Sequence, residues 1–439
     1  MPHRKRYSRR QYLKSSAALA SFAAIAGCTS NGDDGSDKSD GSNGSDGDGG
    51  GDGSGDGSSG GTTGGGSETI KIGALFPLAP PLQQLATQGK RGMQIATERI
   101  NNNGGIDGND VEVIYENTQA DPDTGLQKAR RLVENENVDM LYGGIVSSTA
   151  LAVTEYADRR QVPYFTNASA DPLTGESCKK STFVLNPSEA MRGRALGPSI
   201  LERSGTKGWM HIFDYAWGHS VNKAWSAALE AQDQTVDIVD TTKSPLSATD
   251  FSDSITQIAS ADVDWAILGL GGAALAAFLK QASQYDLQDS VDIYGPEAVQ
   301  SARRDGGDTI RGMITHGRYS PHYDTEPNNA FVQAFAEEHE LPPNQNAKDA
   351  WEGIHFYKAA VEENGSKSFG DVTAAAEEVT IDSLMGSLSM RDCDHRCVRP
   401  MHVAEVGEND EWGVPRFNIL ETVPAEQVME SCEQTTCSF

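Results

Sequence analysis

The chain has 439 residues, 23% of them charged, and a formal net charge of −27. Six of its 36 basic residues (Arg4, Lys5, Arg6, Arg9, Arg10, Lys14) fall in the first 27 positions, which hold no acid, so the remainder sets 30 bases against 63 acids for a net −33. A surface that acidic repels nucleic-acid phosphates and anionic headgroups, which excludes nucleic acid as a partner.

Self-repulsion of this size is tolerated where concentrated salt shortens the Debye length, so the composition reads as halophilic. The alternative is an ordinary acidic extracellular protein, and salt-dependent stability separates the two. The length leaves room for two domains once a leader is removed.

The N-terminus reads as a processing segment. Ser8-Arg9-Arg10-Gln11-Tyr12-Leu13-Lys14 resembles a twin-arginine export signal, and the apolar run 17–26 behind it is shorter than the ~20 residues that span a bilayer. It ends in Ile25-Ala26-Gly27-Cys28, which resembles a lipoprotein cleavage box. Residues 1–27 are therefore expected to be a signal peptide, with Cys28 lipidated at the outer face of the cell membrane. Residues 28–67 are almost only Gly, Ser, Asp, Asn and Thr, with eight aspartates and nothing apolar to bury; they are expected to be a disordered, self-repelling tether.

From residue 68 short apolar runs alternate with helical patterns. Strands are predicted at 70–76, 111–115, 140–142 and 162–165, with helices over 85–100, 127–133 and 150–157 between them. After an apolar run at 183–185 a second series follows: helices at 188–202, 220–230, 251–258 and 273–282, and strands at 209–213, 236–239, 265–268 and 291–294. Strands alternating with helices of this length imply βαβ units and parallel sheets covered on both faces, so the class is α/β. Two such domains side by side leave a cleft at the carboxyl ends of their strands, where open sheets take ligands.

Several segments together resemble one family. Ile72-Gly73-Ala74-Leu75-Phe76-Pro77-Leu78, Gly89, and Ile100-Asn101-Asn102-Asn103-Gly104-Gly105-Ile106-Asp107-Gly108 are similar to the opening strand, first helix and turn of the leucine/isoleucine/valine-binding proteins of ABC transporters. Asp121-Pro122, Gly143-Gly144-Ile145-Val146-Ser147-Ser148, Tyr215-Ala216-Trp217-Gly218, Thr249-Asp250-Phe251 and Tyr294-Gly295-Pro296-Glu297 follow in that family's order, so the likeness covers about residues 70–418. It implies a type I periplasmic binding protein: two Rossmann-like lobes joined by a three-stranded hinge and closing on a ligand. Lobe 1 would take 68–187 plus 313–381, and lobe 2 would take 188–312 plus 382–439.

Candidate ligand contacts follow the strand ends. Gly143 and Gly144 end a strand where Ser147 and Ser148 open a helix, a place that suits a carboxylate or else a simple N-cap. The resemblance implies a carboxylate grip there, with Ser147 the best match. It also implies head-group contacts from Ser169 and Ala170, although alanine replaces the threonine of many relatives and removes one hydroxyl. Glu297, just past a strand end, suits a ligand ammonium, and the resemblance implies that role; most glutamates are instead solvated. Tyr215 and Trp217 offer flat rings for a pocket wall or for core packing.

Gly269-Leu270-Gly271-Gly272-Ala273-Ala274 formally fits the dinucleotide fingerprint, but that needs an acid ~20 residues on to take the ribose, and Glu297 is too far along. Gly271 is read instead as part of a turn lining the cleft, and no cofactor is expected.

With Cys28 assigned to lipid, Cys178, Cys393, Cys397, Cys432 and Cys437 remain, an odd number that leaves a thiol over when disulfides form outside the cytoplasm. Spacing does not give the connectivity. Cys393 and Cys397 with His402 are the zinc alternative, weakened by the lack of a second compact ligand pair. H-E-x-x-H does not occur, and G-x-S-x-G occurs only as Gly57-Ser58-Ser59-Gly60-Gly61 within the tether, away from any strand-to-helix turn, so no enzyme is expected.

The resemblance implies a monomeric solute-binding protein that captures a branched-chain or similar amino acid for ABC permease subunits. Its alternatives are a partner of a chemotaxis transducer, or the same fold holding an amide, urea or aromatic acid. The loop 78–83, with its proline pair, leaves the side-chain preference open.

Overall fold

The structure is a computed structural model, and it describes residues 68–439. The leader, Cys28 and the tether over 28–67 lie outside the described residues. No helix among the described residues is long and apolar enough to cross a membrane.

The first sheet is all parallel: β1 (Ile70–Phe76), β2 (Val111–Asn117), β3 (Met140–Gly143), β4 (Tyr164–Thr166) and β5 (Thr182–Val184), in the order β2-β1-β3-β4-β5. The crossovers carry α1 (Gln83–Asn102), α2 (Pro122–Glu134) and α3 (Ser147–Arg160). Local sequence sets these ends. Asp121 accepts from the Thr124 amide at 2.7 Å and Pro122 takes the first helical position, where its missing N–H costs nothing.

The chain then crosses near Asn186 and builds a second unit. It runs α4 (Glu189–Arg203), β6 (Lys207–Phe213), α5 (Ala216–Glu230), β7 (Asp237–Ser244), α6 (Ser252–Ser260), β8 (Trp265–Gly269), α7 (Gly272–Ala282), β9 (Asp292–Gly295), α8 (Gln300–Gly306) and β10 (Ile314–His316). After a second crossing near Arg318, α9 (Glu326–His339), α10 (Gln345–Asn364) and α11 (Phe369–Glu378) return to the first core. A small antiparallel sheet joins them: β11 (Thr380–Ser383), β12 (Gly386–Met390) and β13 (Cys397–Val398). A third crossing near Arg399 leads to β14 (Met401–Asn409) and β15 (Pro415–Val423), which add antiparallel strands to the second sheet, and α12 (Ala425–Val428) ends the regular structure. That sheet reads β15-β14-β10-β9-β8-β6-β7.

The result is α/β, two lobes of parallel or mixed sheet flanked by helices. Each lobe has its own core, with Phe76, Tyr142 and Phe165 in the first and Trp225, Trp265 and Phe278 in the second. Parallel strands buried on both faces explain why apolar runs located them. β7 differs: the predicted apolar stretch, 236–239, overlaps only the start of a largely exposed strand that runs on through Asp240 and Lys243 to Ser244 at the sheet edge, where charge is at home.

Cysteine pairing is Cys178 with Cys437 and Cys393 with Cys432. Cys397 keeps a buried thiol that donates to the Leu185 carbonyl at 3.1 Å. The zinc alternative is not realised, since Cys393 is consumed and His402 is bonded to Thr422 at 3.0 Å. Both disulfides run from the tail that follows β15 to the first lobe, at the segment before β5 and at the β12–β13 connection. They make the tail a fourth covalent link between the lobes.

Candidate functional site

Between the lobes lies a cavity of about 60 Å³ whose wall residues all follow strand ends or open a helix. Six of the eight sequence candidates line it: Ser147, Ser169, Tyr215, Trp217, Gly271 and Glu297. Ser148 and Ala170 do not. Ser148 lies one helical step, ~100°, past Ser147, and Ala170 is fully buried at the start of the short 3-10 turn Asp171–Thr174.

On the first lobe, backbone geometry makes the turn after β3. Gly143 has φ +124° and Gly144 +81°; a Cβ at Gly143 would stand 2.1 Å from the Leu75 carbonyl oxygen. Only glycine fits there, and the tight turn delivers Ser147 as the first residue of α3. The capping position is Val146, which offers no side-chain oxygen, so the first-turn amides are left without a side-chain cap. An uncapped helix start beside a buried hydroxyl offers donors to an anionic group.

Asn167 and Ser169 descend from β4. The Asn167 amide nitrogen donates to Asn346 Oδ1 at 3.1 Å while its own Oδ1 has no partner among the described residues, and the Ser169 hydroxyl donates to Glu189 at 3.2 Å.

The opposite wall is aromatic. Phe213, Tyr215 and Trp217, at the end of β6 and the start of α5, have ring centroids 6.1 to 6.4 Å apart. The Trp217 indole N–H is taken by Glu189, so the ring is anchored from behind. Leu82, Leu85, Ile145, Leu246 and Val299 complete the apolar surface. At Gly271 an added Cβ would meet nothing within 4 Å, so this glycine leaves open space rather than relieving a collision.

Glu297 lies past β9 at the cavity wall, buried. Arg318 Nη1 donates to its Oε2 at 2.9 Å, and Arg192 Nη2 stands 3.4 Å from Oε1. Burial alone would raise its pKa, but the two guanidiniums outweigh burial and hold it below the usual carboxylate range. Arg192 is itself held by Glu189 and by Asn186 Oδ1 at 2.9 Å. Arg318 continues to Asp349, Asp349 to Lys348 at 2.7 Å, Lys348 to Glu352 at 3.0 Å, and Glu352 to Arg399 at 2.8 Å. The row alternates in sign from Glu189 to Arg399 and sums to zero, the condition under which charges survive burial. Glu352 shows the effect: burial raises its pKa, yet Arg399 and Lys348 bring it down to about 2.

Sequence reasoning missed Arg318, Asn186, Gln345 and Asn346, all in the wall. They come from two of the crossings and from the start of α10, where no strand-end motif marks them. Two donors of the wall, Arg318 Nε and Gln345 Nε2, have no partner among the described residues.

A larger cavity of about 810 Å³ lies beside this one, between the segment at Asp171–Thr174, helices α4 and α5, and the tail. Its charges are largely spent on one another, Arg194 with Glu430 and Arg391 with Asp394, and it has no aromatic wall.

Comparison with known proteins gives a consistent picture. A family model described as periplasmic binding protein matches residues 69–411. A Leu/Ile/Val-binding protein homolog of Brucella abortus is 26% identical over 260 residues, which is 54% of this chain and 64% of that one, so the match spans under two thirds of that relative's length. A periplasmic binding protein from Burkholderia mallei superposes with a TM-score of 0.79 at 21% identity, covering 84% of this chain and 98% of that one. A solute binding protein of an ABC transporter from Rhodopseudomonas palustris, in complex with 3,4-dihydroxybenzoic acid, gives 0.76 at 21% identity with 83% and 99% covered. A branched-chain amino acid transporter substrate binding protein from Streptococcus pneumoniae, in complex with isoleucine, gives 0.70 at 20% identity with 80% and 99% covered. At such identities the likeness to solved structures carries the fold and not the ligand.

Proposed function

The chain belongs to the periplasmic binding protein family, and on that premise we propose that it is the extracytoplasmic solute-binding protein of an ABC-type importer. It is a binding protein and not an enzyme. It captures an aromatic carboxylic acid between its lobes and delivers it to the permease subunits, and the lipobox at Cys28 supports tethering to the outer face of the membrane.

One observation carries the choice of ligand: the three-ring wall of Phe213, Tyr215 and Trp217 shares a small cavity with the uncapped start of α3 at Ser147. A flat ring stacks on the first, and a carboxylate accepts from the second. The fold relative that holds 3,4-dihydroxybenzoic acid supports the same reading. At about 60 Å³ the cavity is far below the ~300 Å³ at which ligand pockets begin, so the lobes must part to admit a solute and then close on it.

A branched-chain amino acid is the second reading, favoured by the Glu297 carboxylate in the wall and by the isoleucine-bound fold relative. Titration calorimetry in high salt with 3,4-dihydroxybenzoate, 4-hydroxybenzoate, benzoate and isoleucine separates them. Heat from the benzoates and none from isoleucine is expected; the reverse pattern removes the aromatic-acid reading.

A further inference from the structure

We infer that Arg318 is a specificity-determining residue of the interlobe cavity: by occupying Glu297 it excludes solutes that carry an α-ammonium group and selects carboxylic acids that lack one. The inference rests on the solute-binding role proposed above and narrows the class of solute.

A carboxylate at a cavity wall attracts an ammonium only while its oxygens are free. Here one oxygen of Glu297 accepts from Arg318 at 2.9 Å and the other faces Arg192 at 3.4 Å. Neither guanidinium is free to swing away. Arg192 is fully buried and gripped by Glu189 and Asn186, and Arg318 is held on its other side by Asp349, itself fully buried on α10.

An ammonium brought against Glu297 would therefore sit among two fixed cations in a site that excludes water, where like charges repel far more strongly than in solvent. The donor balance agrees. Among the described residues two donors on the wall, Arg318 Nε and Gln345 Nε2, lack acceptors against one unpartnered acceptor, Asn167 Oδ1, whereas a solute ammonium would bring still more donors. On balance the wall has more donors than acceptors left to satisfy, which favours oxygen from a solute.

Two matched pairs test this by calorimetry on the full chain in high salt: 3-phenylpropanoate against phenylalanine, and 4-methylpentanoate against leucine. Within each pair the amino group is the main difference. The member without it is expected to bind about tenfold tighter or more, and Arg318→Gln combined with Asp349→Asn, which removes the cation together with its buried counter-charge, is expected to narrow that ratio by about tenfold. Equal or tighter binding of the amino-bearing members overturns the inference. So does a ratio unchanged in a double variant that melts like wild type, and so does absence of binding by all four. If the double variant does not fold, the wild-type ratios decide alone. Tight 4-methylpentanoate with weak leucine and no benzoate binding would leave this inference standing and remove the aromatic reading; benzoate binding with no discrimination within the pairs would do the opposite.

Discussion

The indole N–H of Trp217 donates to Glu189 Oε1 at 2.7 Å, which ties a ring of the cavity wall to a carboxylate buried at the start of α4. Trp225 donates to the other oxygen at 3.2 Å, so two tryptophans, the Ser169 hydroxyl and Arg192 together satisfy one fully buried acid. Trp217→Phe keeps a ring and deletes a donor. A stability loss of about 1–3 kcal/mol is expected, read as a lowered denaturation midpoint; an unchanged midpoint would mean that this bond contributes nothing.

Gly143→Ala tests the turn that presents Ser147. The new methyl would meet the Leu75 carbonyl at 2.1 Å from a residue whose φ is +124°. A loss of about 3 kcal/mol or more is expected in thermal or chemical unfolding. A variant as stable as wild type would show that the turn has slack.

Ser147→Ala addresses the solute instead. It lines the cavity, and among the described residues no bond to another side chain depends on its hydroxyl, so the melting temperature is expected to stay put. Affinity for the bound acid should fall about five- to tenfold in calorimetry. Undiminished affinity would move the carboxylate away from the start of α3.

Stability should fall in two stages on acidification. His211 and His355 are brought down from 6.5 to about 4, in both cases chiefly by burial. Below pH 6.5 the unfolded chain takes up protons that the folded chain refuses until about pH 4, so stability drops through that window. Glu352, lowered from 4.5 to about 2, adds a second loss as pH falls between those values, because again the unfolded form is protonated first. Denaturant midpoints measured at about pH 7, 5 and 3 should decline at each step; a flat profile across the upper window contradicts the histidine assignment.

Replacing Cys178 and Cys437 together by serine opens a loop with a sequence separation of 259. A loss of about 2–5 kcal/mol is expected, checked by unfolding with and without a reductant. Wild type under reductant should approach the variant, and no difference between them under oxidising conditions would show that the bond adds no stability.

The frame of the fold was legible because its chemistry is local. β1 was predicted at 70–76 and runs Ile70–Phe76, buried along nearly its whole length. Helix α3 is predicted at 150–157 and spans Ser147–Arg160; the missing first turn is polar in sequence, yet Ser147 is buried at the cavity and Thr149 against Gly125 of α2. Strand-end motifs likewise located Ser147, Ser169, Tyr215, Trp217, Gly271 and Glu297 at one cavity.

What stayed hidden is long-range. Lys348, Asp349 and Glu352 look like a solvated helix face, yet all three are fully buried, and only the partners supplied by Arg318 and Arg399 make that tolerable. Arg192 with Glu189 has the spacing of an ordinary surface pair and is likewise fully buried. An arginine just beyond β10 carries no local sign that it will meet a glutamate from β9 and an aspartate from α10. Cysteine spacing was equally silent about a bond from Cys178 to the last few residues.

The strapped tail limits how the molecule can gape. Val428 is packed in the second core and Cys432 is bonded to Cys393 of the first lobe, with only Met429, Glu430 and Ser431 between them. Four peptide steps reach ~14 Å at full stretch. Along that flank the halves cannot draw farther apart than this leash allows, so the mouth must swing widest on the far side, and a solute's route in and out is lopsided by construction.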